Sequence, residues 1–171
     1  MPNYNYSTIE RIGDMINGVR VDTSTLAAAT YLLTGNNQTE IFNVYGRIKI
    51  HELFGEVKVV FSNNATTLYY NFTSSSPVIA VQPISAACST MAQLAVGERI
   101  AWVGGAVATA VVLTATPGIT DVARSSQIVG TDGGVGSIGI LTAAASLTSG
   151  TVKFSIFYTP MSDGAYVTAA L

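Results

Sequence analysis

The chain has 171 residues, the size of one ordinary domain, and its 49 % hydrophobic content is enough to fold around a core. Charged residues are only 11 %, against about a quarter in typical soluble proteins, and 8 basic against 10 acidic side chains leave a formal net charge of −2. That balance gives no basic footprint for a phosphate backbone; one cysteine, Cys88, excludes an intrachain disulfide framework, and one histidine, His51, excludes a multi-histidine metal site.

The N-terminus has no basic flank leading into an apolar core, so it does not read as a secretory signal. Ser7-Thr8-Ile9-Glu10 has the form of a capping box, Ile9, Ile12 and Ile16 then share one face, and Gly18 follows as a C-cap. The pattern predicts a short amphipathic helix over residues 7–17 within an N-terminal arm, residues 1–18. A single β domain is expected over residues 19–171. Whether the arm packs under its own sheet or reaches a neighbour stays open.

From there the period is two. Arg47–His51 and Glu56–Val59 alternate polar and apolar residues on either side of Gly55, and Leu68–Phe72 brings aromatic β-formers after Ser62-Asn63-Asn64. Further strands are expected at Thr25–Leu33, Ile41–Tyr45, Val78–Val81, Ser137–Ala144 and Thr151–Tyr158. Gly104-Gly105 divides Arg99–Val103 from Ala106–Thr116 as a hairpin, and that interruption makes the uncharged run too broken for a membrane span. Ala86–Ala95 fits either one helical turn or a buried strand. Turn signals every eight to twelve residues make the whole an all-β protein, an antiparallel β-sandwich or jelly-roll-like domain.

Charge is distributed as unevenly as it is scarce. Val59–Gly97, Ile100–Thr120 and Gly133–Val152 carry no Asp, Glu, Lys or Arg. Exposed sheet edges in a monomer are normally guarded by charge, so stretches this long point to faces that meet other protein, the alternative being a stable monomer with a Thr/Ser-rich polar surface.

The residues that could carry chemistry do not form a constellation. Gly134-Val135-Gly136-Ser137-Ile138-Gly139 has the spacing of a dinucleotide fingerprint, but a strand-like Ile140-Leu141-Thr142 follows where that motif needs a helix. His51 has no nucleophile beside it, and Cys88 lies among Ala86, Ala87, Ser89 and Thr90 with no neighbouring cation to lower its pKa. The carboxylates are scattered, and Asn5, Asn37, Asn64 and Asn71 open Asn-x-Ser/Thr triplets that a Ser/Thr-rich chain produces by composition. Phe154 and Tyr158 share a strand face with Ile156, as core residues do, while Phe157 points the other way. Tyr69, Tyr70 and Asn71 are the cluster to consider for sugar stacking. No catalytic, cofactor-binding or metal-ligating residue is singled out, and no enzyme activity is expected.

From Gly136-Ser137-Ile138-Gly139-Ile140, through Ser149-Gly150 and Val152-Lys153-Phe154-Ser155-Ile156-Phe157-Tyr158-Thr159-Pro160, to Asp163-Gly164-Ala165-Tyr166-Val167, the chain resembles virion structural proteins of tailed bacteriophages. It is most similar to their small head decoration (cement) proteins. The resemblance implies a β-sandwich, often a homotrimer, that binds across neighbouring major capsid protein subunits on the capsid surface and stabilises the shell. It also implies assembly in the bacterial host cytoplasm, with no nucleic acid or membrane as partner. Uncharged Tyr166–Leu171 could add an edge strand or enter an interface. The alternative is a head-fibre or tail component with a carbohydrate- or receptor-binding β-sandwich.

Overall fold

The computed structural model describes residues 18–33, 35, 38–102, 104, 109–114 and 126–171. The helix expected over residues 7–17 lies outside the described residues, as do Asn36-Asn37 and Pro117-Gly118.

Among the described residues eleven strands and one helical turn follow in order: β1 (Val19–Ala27), α1 (Ala28–Tyr31), β2 (Thr39–Tyr45), β3 (Ile48–Val59), β4 (Thr67–Ser76), β5 (Val78–Pro83), β6 (Arg99–Trp102), β7 (Val112–Thr114), β8 (Gln127–Val129), β9 (Val135–Ala143), β10 (Thr151–Pro160) and β11 (Tyr166–Ala169). They form two antiparallel sheets. One runs β1-β10-β3-β6-β7 with β8 also on β3, and the other runs β11-β2-β9-β4-β5. Four of the pairings are nested: β1 with β10, β2 with β9, β3 with β6 and β4 with β5. A long hairpin rolled up so that its pairs alternate between two sheets is a jelly roll.

The alternation read from sequence sets which face is buried. Val152, Phe154, Ile156 and Tyr158 of β10 face inward with Ile48, Ile50, Leu53 and Val57 of β3. Phe42 and Val44 of β2, Leu68 and Tyr70 of β4, and Ile138 and Ile140 of β9 close the core from the second sheet. Three polar tips cross between the layers. Tyr70 Oη donates to the Ile100 carbonyl at 2.8 Å, Trp102 Nε1 donates to Ile84 O at 2.9 Å, and Val167 N–H donates to Tyr158 Oη at 3.0 Å. The Tyr70 and Phe154 rings meet edge to face at 6.3 Å.

Several expectations change. The strand expected over Thr25–Leu33 stops at Ala27, and α1 follows, because Ala28 and Leu32 are buried four residues apart, a helical spacing that seats both in the core. Gly55 does not divide two strands but lies inside β3, where a Cβ would come within 2.7 Å of the Phe154 ring and 2.9 Å of Val152 Cγ2. Ala86–Ala95 is neither helix nor strand. It is pinned at intervals, by Ala86 N–H to Thr109 O, Cys88 N–H to Leu68 O and Met91 N–H to Thr66 O, and it buries Cys88, Met91 and Leu94. β8 was not expected, whereas the edge strand that Tyr166–Leu171 could add is present as Tyr166–Ala169, paired with β2 at the margin of its own sheet.

Gly55→Ala should therefore destabilise the protein by about 1–3 kcal/mol, because the Phe154 ring has no free volume to yield. Denaturant unfolding monitored by Trp102 fluorescence measures this, and an unchanged midpoint would contradict the packing.

Candidate functional site

The two sheets differ in what their outer faces carry. On the first, β1 supplies Arg20 and Asp22, β3 supplies Lys49, Glu52, Glu56 and Lys58, β6 supplies Arg99, and β10 supplies Lys153. These charges sit among one another in register: Lys153 is opposite Glu56, Glu56 is opposite Arg99, and Arg20 is opposite Phe157. The Arg20 guanidinium lies 5.4 Å from the Phe157 ring centre and that of Arg99 lies 4.7 Å from Phe54, so cations roof both outward aromatic rings. Asp22 takes Arg20 Nε at 2.8 Å and Lys153 Nζ at 3.0 Å. Burial alone would raise its carboxyl, but hydrogen bonds from Arg20, Ser155 and Lys153 outweigh that and hold it at about 2.

In the second sheet, Glu40 is the one charged residue among all five strands. Its outer face is built from hydroxyls, amides, small residues and a few apolar side chains. Ser137 Oγ donates to Glu40 Oε1 at 2.9 Å, and Thr73 Oγ1 donates to Gln38 Oε1 at 2.8 Å. Gln38 lies across Gly139, where a Cβ would meet its amide at 2.4 Å, and Asn71 stands opposite Gly139 in the ladder. Asn71 is fully buried with both amide atoms unpartnered, as is the Gln38 Nε2. At one end of this face a row crosses the strands in register, from Tyr166 through Tyr45 and Val135 to Ser76, and Ser75 beside it pairs with Val78. The Tyr45 and Tyr166 rings stack at 4.4 Å. Beyond the row, every residue of β5 is exposed, Val78 to 87 %.

The residues weighed for chemistry are kept apart. The glycine run from Gly134 to Gly139 leads into and along β9, where Gly136 gives room to the Phe72 ring and Gly139 to Gln38. His51 occupies the irregularity between β3 and β10, with Nε2 2.7 Å from Thr159 Oγ1. Burial, and then the Lys49 charge, lower its pKa. Cys88 lies in the core against the other sheet, with Sγ accepting the Leu68 N–H at 3.2 Å and its thiol raised by burial. Among the described residues no group of three or more His, Cys, Asp or Glu is placed to hold a metal, and no helix is long and apolar enough to cross a membrane. The Tyr69-Tyr70-Asn71 cluster is split between the two faces of β4, with only Tyr69 partly exposed. Tyr70 points into the core, its hydroxyl raised well above its ordinary pKa by burial, and Asn71 is covered. The aromatic pair of half-buried Tyr45 with exposed Tyr166 was missed because its partners lie on strands far apart in the chain.

No protein-family model matches the chain, and no curated protein or solved structure matches it.

Two outcomes follow from these environments. Because the Asp22 carboxyl is depressed from 3.8 to about 2, its ion pairs stabilise the fold above pH 3.8, and that contribution disappears as the pH falls through about 2. Asp22→Asn should cost about 1 kcal/mol at neutral pH, most of the bare electrostatic gain being screened at a partly exposed site, and should flatten the acid limb of the stability curve. Cys88 should resist a thiol reagent in the native protein and react at once in denaturant; fast native labelling would refute its burial.

Proposed function

We propose that this protein is a structural component of a tailed-phage particle: a homotrimeric head decoration protein that binds across major capsid protein subunits on the capsid surface and reinforces the shell without catalysis. The observation that supports it most is the partition of charge between the two sheets. A face of interleaved Arg, Lys, Asp and Glu suits water, and a face with a single carboxylate, already bonded to Ser137, suits close contact with protein. Shell proteins gain affinity from shallow contacts repeated by symmetry, so no deep pocket or single dominant side chain is required. Jelly rolls serve in viral capsids as well as in lectins and cupins, so the fold is compatible with this role by analogy.

The test is co-sedimentation with phage heads prepared without the protein. Saturable binding that survives molar salt, with a raised temperature of DNA release, is expected, because contacts without charge are not screened. Protein left in the supernatant at micromolar concentration would overturn the reading.

The stacked Tyr45–Tyr166 pair supports a second reading, a receptor-binding component of a head fibre or tail that stacks a sugar on the outer ring. Binding to immobilised glycans that Tyr166→Ala abolishes would favour it over the first.

A further inference from the structure

We propose that the middle of the outer face of the second sheet is a binding site for a neutral saccharide, plugged by the Gln38 side chain. The site is built around Gly139. Glu40 of β2 and Asn71 of β4 stand on either side of it in the ladder, and the next row on the same face carries Asn43, Ser137 and Thr73. Gly139 brings no side chain of its own, and Gln38 fills the hollow that this leaves. Its Nε2, Cγ and Cδ lie 2.4, 2.5 and 2.7 Å from where a Cβ would stand.

The plug satisfies the hollow poorly. Thr73 Oγ1 donates to Gln38 Oε1 at 2.8 Å, but Gln38 Nε2 and both amide atoms of the fully buried Asn71 have no partner. Buried amides are ordinarily paired, because giving up water without gaining a partner is costly. Three unpaired amide atoms around one glycine mark a place suited to hydrogen bonds that the chain itself does not supply. Gln38 is half-buried and precedes β2, so its side chain can swing out without breaking a strand pair.

The class of occupant follows from these groups. A carboxamide presents a donor and an acceptor side by side, and two neighbouring hydroxyls of a sugar ring match both at once, one accepting from Asn71 Nδ2 and the next donating to Oδ1. The carboxylate of Glu40 accepts only, which suits a ligand rich in donors, and its charge disfavours an acidic one. Tyr69, partly exposed on the same face and opposite Leu141, gives the sugar ring an apolar neighbour. A primary carboxamide from a partner protein would match Asn71 as well, but it would leave Glu40 and the hydroxyls of the Ser137 row without a use.

The inference goes beyond both readings of the protein's role, since the site needs neither a phage head nor the Tyr45–Tyr166 pair. The test is saturation-transfer NMR and titration with the methyl glycosides of glucose, galactose and mannose, with propionamide as the carboxamide probe. The wild-type protein should bind at least one glycoside in the millimolar range. Gln38→Ala should bind the same glycoside about tenfold tighter, because no side chain has to be displaced first. Gly139→Ala, whose methyl occupies the hollow and displaces only the flexible end of Gln38, should lose binding with unchanged far-UV circular dichroism. If that variant is misfolded, Asn71→Leu, which exchanges an unpaired buried amide for an apolar group of similar size, gives the same readout. Tyr166→Ala should leave this binding as it is. Failure of Gln38→Ala to bind any of the glycosides overturns the inference, as does binding that survives a folded Gly139→Ala or is lost in Tyr166→Ala. Binding of propionamide alone also overturns it, and assigns the hollow to the side chain of a protein partner.

Discussion

Burying Tyr70 and Trp102 commits the two sheets to one relative position, because each ring carries a polar atom that must find a partner in a place water does not reach. Tyr70 leaves β4 in one sheet and reaches the Ile100 carbonyl in the other. Trp102, from β6, returns to the Ile84 carbonyl just past β5, and Tyr158 closes the far side by accepting the Val167 N–H. Dispersion would tolerate small sliding of one sheet over the other; three hydrogen bonds at 2.8–3.0 Å would not. Gly55 belongs to the same device, since its missing side chain lets the Phe154 ring lie low enough to meet Tyr70 edge on.

With the layers fixed, the jelly-roll order decides the character of each surface. β2, β4, β5, β9 and β11 draw almost entirely on charge-free sequence, and the topology collects them in one sheet. β1, β3, β6 and β10 draw on the remainder and collect in the other. Neither sheet is contiguous in sequence, so the contrast between the faces is produced by the way the chain is wound, not by any one segment.

Much of this was legible beforehand. The alternation in Arg47–His51 and Thr151–Tyr158 sufficed to place Ile48, Ile50, Phe154, Ile156 and Tyr158 inside and Phe157 outside, because a half-buried strand has no other way to satisfy both faces. β8 was illegible, since three residues contain less than two full periods. The end of β1 misled because Leu26, Ala28 and Leu32 satisfy a strand at their start and a helix at their finish. Tyr70 looked like a binding residue through its chemistry, and only the core shows that it is structural. The uncharged runs were plain in the sequence, but that they share a face depends on pairings between residues as distant as Asn43 and Ser137.

The nesting of the strands also sets the order in which the protein can complete itself during synthesis. β4 and β5 are neighbours in sequence and can pair as soon as they emerge. β1 must wait for β10, and β2 for β9, across more than half the polypeptide. A growing chain thus carries its first strands unpaired, with the apolar β5 hairpin already formed, until the last quarter arrives and closes each pair from the outside.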